Sequence, residues 1–301
     1  MALAFGELKR RIRQRTANRV DEVMAEVVLR EKIHEIWTRE SWSWRQDEAI
    51  LTTVAPKTAG TVTLNATSTL VDGTGAAFVA ADVGRKLRVT NDNTYYEVTA
   101  VNGQQLTLET AYAGAAFTAS AYSLFRNIYT LASNFQEMIS IAYWWRLSEG
   151  TLGGVDRYDA RRSFASQQPC SFIYRGEDAE GVMHIEISPV PSAAIGIHYI
   201  YRTKPPIWQD TTLVPIAEEV LTYLCAADAL YMRAVEAPLA ETQGLIAVAD
   251  KYQALGQNAL AEYSFADTKL RGIQKSVRDI AGDILWSDDY ATSHDFGSPI
   301  G

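Results

Sequence analysis

The stretch from Lys57 to Phe125 constrains the fold most, because it leaves no room for a helix. Thr, Val, Ala and Gly dominate it, charge is thin, and turn residues recur throughout. Thr61-Val62-Thr63-Leu64 alternates, as do Leu87 with Val89 and Tyr96, Val98 and Ala100. A period of two buries one face of a strand. Asn102-Gly103 lies between the runs Tyr95–Val101 and Gln105–Leu108, and both residue types tolerate the backbone of a tight hairpin turn. Asp72-Gly73 reads as a second turn. The expectation is an inserted all-β module, 57–125, of about five or six strands, whose ends at Pro56 and Arg126 lie close together.

The flanking segments read as helical. From Leu3 to Glu40 there is no Pro, and Gly6 is the only Gly. Val20, Val23, Met24, Val27, Val28, Leu29, Ile33, Ile36 and Trp37 recur at helical spacing. The pattern predicts one helix roughly 50–55 Å long. Its first half carries Lys9, Arg10, Arg11, Arg13, Arg15 and Arg19 against Glu7. That face is either simply solvated or a contact with acidic groups. Arg10, Arg11, Arg13 and Arg15 are the candidate assembly residues.

Glu48–Val54 reads as a strand closed by Pro56. Phe135–Arg146 has helical spacing and ends in Tyr143-Trp144-Trp145, a candidate packing or interface cluster. Gly150, Gly153 and Gly154 predict a loop. Ser171–Arg175, Val182–Ile187 and Ile195–Arg202 read as antiparallel strands, with Ile195, Ile197, Tyr199 and Tyr201 on one face. Pro215 opens a second helical region, with Glu218 and Glu219 favouring the helix dipole. Pro238 breaks it near Val235, and another helix is expected from Ala240 to Ala266. From Gly282 the chain is acidic and aperiodic, and reads as an extended arm, 282–301. Ile284, Leu285, Trp286, Tyr290 and Phe296 are its candidate anchors. The expected fold class is therefore α+β: a helical body (1–56 and 126–281) with a small antiparallel sheet, the inserted module, and the arm.

Chemistry is sparse. No GxxxxGK[ST], GxGxxG, HExxH or GxSxG motif occurs. His34, His184, His198 and His294 are scattered, and Cys170 and Cys225 form no CxxC pair, so neither a metal nor a disulfide framework is expected. Asp288, Asp289, His294 and Asp295 lack the spacing of a calcium loop. Glu177, Asp178 and Glu180 could pair as hydrolase carboxylates, but they fall in a Gly-bounded turn. The formal net charge of -8 opposes tight binding to nucleic acid by the whole molecule. No apolar run is long enough to span a bilayer, and Met1–Phe5 lacks a signal-peptide core. No enzyme and no cofactor are expected.

Several words of the sequence resemble head-to-tail adaptor (connector) proteins of tailed bacteriophages. In the β module they are Gly60-Thr61-Val62, Gly73-Thr74-Gly75-Ala76-Ala77-Phe78, Asp82-Val83-Gly84-Arg85-Lys86-Leu87-Arg88 and Tyr96-Glu97-Val98-Thr99-Ala100-Val101. Tyr129–Phe135, Ile185–Pro191, Ile195–Pro206 and Ile216–Tyr231 resemble other parts of the same family, which is usually shorter. The resemblance implies a dodecameric ring beneath the portal, with the arm gripping the portal protein. It also implies a downstream tail or nozzle partner, channel DNA passing nearby without specific contact, and assembly in the host cytoplasm into the virion. A tail, baseplate or fibre-attachment protein is the alternative, and a tail-borne glycan hydrolase a more distant one.

Overall fold

Asn18 ends what reads in sequence as one long helix. The computed structural model, which describes residues 2–285 apart from 91, 93, 144, 145, 161 and 164 and, for 271–285, the helix alone, shows two helices there. A short strand β1 (Leu3–Ala4) leads into α1 (Phe5–Arg15), and α2 (Glu22–Arg39) follows. Ala17 and Asn18 take φ of 52° and 58°, and Asn18 N–H closes on the Arg13 carbonyl at 2.8 Å. This left-handed backbone terminates a helix, and Asn bears it better than most residues. Asp21 then starts α2 by accepting the Met24 N–H at 2.7 Å.

The chain divides into two units, Met1–Arg45 with Pro205–Gly301, and Gln46–Lys204. Gln46–Lys204 opens with β2 (Gln46–Thr52), then β3 (Thr61–Leu64), β4 (Leu70–Thr74), β5 (Lys86–Val89), β6 (Tyr95–Asn102), β7 (Gln105–Leu108), β8 (Phe117–Ser120) and β9 (Tyr122–Phe125). Seven of these form one curled antiparallel half-barrel in the order β8-β3-β4-β7-β6-β5-β9. Val62, Leu64, Val71, Leu87, Val98, Leu106 and Leu124 fill its core. Gly103 makes the predicted hairpin turn at φ +61°. Gly73 does not turn. It lies within β4, where a Cβ would fall 2.6 Å from the Phe78 ring, so the glycine makes room for an aromatic. Lys57 and Leu124 exchange backbone hydrogen bonds of 2.9 Å, which brings the two ends of the segment together.

The remainder of this unit holds β10 (Ile128–Thr130), β11 (Phe135–Ala142), β12 (Ser148–Glu149), α3 (Leu152–Asp159), β13 (Ala165–Ser166), β14 (Ser171–Glu177), β15 (Met183–Ser188), β16 (Val190–Pro191) and β17 (Gly196–Thr203). They form sheets β10-β15-β14-β12, β11-β17-β2 and β13-β16. Two expectations fail here. The helix expected from Phe135 to Arg146 is strand β11. Its register slips against β17 between Phe135 and Glu137 and between Met138 and Ser140. Such bulges add residues to one strand, so Phe135, Met138 and Ile141 enter the core three residues apart and imitate a helix. The loop expected at Gly150–Gly154 contains α3, capped by the Thr151 hydroxyl accepting the Gly154 N–H.

The other unit resumes with β18 (Leu213–Val214), which pairs with β1, then α4 (Glu218–Glu236) and α5 (Leu239–Leu285). Trp42, Phe5, Leu8, Ile12, Leu29, Ile33, Leu221 and Leu224 are among its core residues. α5 passes its expected end at Ala266 and includes Ile284 and Leu285, which were expected in an extended arm. The expected helical body is overturned as a whole. About a third of the chain, 32%, is strand, with five helices among the described residues, so the architecture is mixed and strand-rich. Sequence patterning undercounted strands where bulges and two-residue pairings blur the period of two.

Candidate interaction surfaces

The basic face of α1 is largely neutralised by its own chain. Arg10 Nε donates to Glu7 at 2.8 Å and Arg11 Nε at 2.9 Å, and Arg11 also meets Glu218 at the start of α4. Hydrogen bonds from Arg10 and then Arg11 hold the Glu7 carboxyl down at about 2. Arg13 approaches Glu22 at 3.9 Å, and Arg15 lies over the Tyr223 ring at 4.0 Å. Lys9, only 6% exposed, sits among Asp210 (2.7 Å), Glu26 (3.2 Å) and Glu22 (3.6 Å). Hydrogen bonding to Asp210 holds its pKa above the ordinary lysine value. The arginines thus cross-brace α1 to α2 and α4, and Arg10, the most exposed of those in ion pairs here, retains the most capacity for an outside partner.

Tyr143 is half-buried against the core that holds Phe135 and Ile141. Trp144 and Trp145 lie outside the described residues, as do Trp286, Tyr290 and Phe296. The Glu177–Glu180 turn is structural: Asp178 accepts backbone N–H groups of Val182 (2.8 Å) and Glu180 (3.0 Å) and meets His184 at 3.1 Å. These bonds, Val182's foremost, keep its carboxyl below the usual range. Among the described residues no group of three or more His, Cys, Asp or Glu could hold a metal ion, and no helix is long and apolar enough to cross a membrane.

Gln46–Lys204 contains a buried ionic knot that sequence reasoning missed. Glu186 on β15 has no exposed surface and accepts from Arg162 and from Asn127 Nδ2 at 2.7 Å, with Arg175 Nε at 3.1 Å. Arg162 also reaches Asp156 at 2.7 Å. Lys86 lies close enough to feel Glu186, but burial dominates and lowers its pKa. Arg88 donates to the Arg162 carbonyl, so β5 is tied to the same knot. A cleft of about 420 Å³ runs beside α3 and exposes Cys170, but its Asp159 is already engaged by the Ser163 N–H and hydroxyl. Among the described residues no acid–base pair lines this cleft.

The second missed feature is apolar exposure on the helices. Met232 and Val235, three residues apart near the end of α4, and Leu239, at the start of α5 just past Pro238, are 42%, 88% and 91% exposed. Val23 and Val27 are exposed on α2, and Phe265 and Leu270 on α5. The spacing of these residues was visible in the sequence; which of them would find an internal partner was not.

No protein-family model matches the chain, and no curated protein is significantly similar to it.

Proposed function

We propose that this chain is a structural subunit that assembles into a ring at the head-to-tail junction of a tailed bacteriophage, beneath the portal. The observation that carries assembly is the exposed apolar corner Met232, Val235 and Leu239. Soluble monomers rarely leave such residues grouped in water, and grouped exposure marks a protein-binding surface. The junction itself is carried by the adaptor-like words between Gly60 and Tyr231. In this reading the ring is dodecameric, holds the portal protein on one side and the next tail or nozzle protein on the other, and surrounds DNA without reading its sequence. It performs no catalysis and uses no cofactor. A closed ring needs only one heterologous interface, one face of each copy against a different face of the next, repeated.

The strand-rich Gln46–Lys204 favours one alternative, a tail, baseplate or fibre-attachment protein. Negative-stain imaging of the chain, alone and mixed with portal rings, separates the two. Stacked rings on the portal are expected. Rings that bind tail tubes but not portals would move the protein down the tail, and a persistent monomer would end both readings.

A further inference from the structure

Strand β5 has two unlike faces. Leu87 and Val89 enter the core of the half-barrel, so Arg88 between them lies on its outer face. Ser123 stands in register with Arg88 on β9, and Tyr95 on β6. Cross-strand neighbours of this kind have Cβ atoms about 4.5–5.5 Å apart. The Arg88 guanidinium lies 5.6 Å from the centre of the Phe125 ring and donates from one Nη to the Arg162 carbonyl. An aromatic ring and a carbonyl thus fix the direction of this side chain.

Its charge is not neutralised locally. Among the described residues no carboxylate forms an ion pair with Arg88, and Asp159 acts on it only through space. Burial holds its pKa below the ordinary arginine value, and the charge of Asp159 opposes that fall. A half-buried cation without a counter-ion gains more from an anion than one in bulk water does.

Arg88 borders a cleft of about 640 Å³ within Gln46–Lys204, a volume in the range of small-molecule sites. Thr58, Ser123 and Ser192 also line it, and their hydroxyls take no hydrogen-bond partner among the described residues. Asp92 is a further lining residue. Its oxygens accept the Thr94 N–H at 3.2 Å and the Tyr96 hydroxyl at 3.0 Å, and a carboxylate has lone pairs to spare beyond two bonds.

We propose that this cleft binds a sugar carrying one anionic group, carboxylate or phosphate. The anionic group takes the fork of Arg88, which matches both geometrically. Sugar hydroxyls donate and accept, as do the three side-chain hydroxyls, and they donate to Asp92. Asp92 argues against an acidic protein segment as the ligand, because it repels a second carboxylate and receives no proton from one. A bare inorganic anion leaves most of the cleft unfilled. The site belongs to Gln46–Lys204 alone and does not rest on the ring reading.

Titration of the full chain with glucuronic acid, glucose 6-phosphate, glucose and inorganic phosphate, followed by ligand-observed NMR, tests the proposal. At least one of the two acidic sugars should bind, and which one does separates carboxylate from phosphate. Glucose and phosphate should each bind about tenfold more weakly or worse, the worth of one charge-assisted hydrogen bond. Arg88→Leu should cost the acidic sugar about tenfold or more in affinity, and Arg88→Lys should restore only part of it, since lysine lacks the fork. Arg88 also braces the Arg162 carbonyl, so Ser123→Ala with Ser192→Ala supplies a second readout: affinity several-fold lower with unchanged circular dichroism. If Arg88→Leu does not fold, the serine pair decides alone. Binding of neither acidic sugar, glucose bound as tightly as glucuronic acid and glucose 6-phosphate, or an affinity unmoved by the serine pair would overturn the proposal.

Discussion

Arg162 and Glu186 form an ion pair that solvent does not reach, with side-chain exposures of 2% and 0%. A buried pair of this kind adds little net stability over a well-packed apolar pair, but loss of one partner is severe, because the other charge stays behind unpaired. Glu186→Leu would remove the buried carboxylate from Arg175 and leave Arg162 with Asp156 alone, and is expected to cost about 3–5 kcal/mol. Urea unfolding followed by fluorescence checks this. The double variant Glu186→Leu with Arg162→Met should recover part of the loss, and strict additivity of the two single costs would argue against a coupled knot.

The knot shows where sequence reading stopped. Arg162 and Glu186 are 24 positions apart in sequence and belong to no motif, so only the fold brings them together. The β module was legible because its hairpin and its alternation are local signals. Strand β11 was not, because two bulges convert a period of two into steps of three. The basic residues of α1 were legible as a group, but their partners Glu218 and Asp210 lie on distant parts of the chain. Charge in sequence looked like a surface; in the fold it is mostly bracing.

The break between α1 and α2 carries a measurable strain. Ala17 holds φ at 52°, a conformation that costs an L residue about 1–2 kcal/mol. Ala17→Gly removes that cost and adds backbone freedom to the unfolded chain worth about 0.5–1 kcal/mol. A net stabilisation between about 0 and about 1.5 kcal/mol is expected. A fall in melting temperature for this variant would mean that the left-handed turn is not held in solution.

Glu7 gives a pH dependence of known sign. Its folded pKa, about 2, lies below its ordinary value of 4.5. A depressed acid stabilises the fold above the unfolded value, and that contribution disappears as pH falls through the folded value. The link of α1 to its own first turn should therefore weaken between about pH 4.5 and pH 2. Melting temperature recorded against pH should fall less steeply in this window for Glu7→Gln than for the wild-type chain. Identical slopes would show that the Glu7–Arg10–Arg11 cluster contributes nothing to acid stability.

Two glycines of α5 make opposite predictions for the same substitution. Gly244 faces open space, with nothing within 4 Å of the point a Cβ would occupy, whereas a Cβ on Gly256 would lie 2.6 Å from Leu224 Cδ2, 2.7 Å from its Cγ and 3.1 Å from its backbone N. Alanine improves a helix interior over glycine by about 0.8–1 kcal/mol, so Gly244→Ala should stabilise by roughly that amount. At Gly256 the same gain meets overpacking that costs about 1–3 kcal/mol. The clash wins there, because the branch point Cγ and the backbone N of Leu224 crowd the same place as its Cδ2, and the backbone N cannot rotate aside. Gly256→Ala should therefore separate α5 from α4 and lower the melting temperature, while Gly244→Ala raises it. If both substitutions stabilise equally, α4 and α5 are not packed as closely as Tyr231–Asp250 and Tyr263–Pro215 place them.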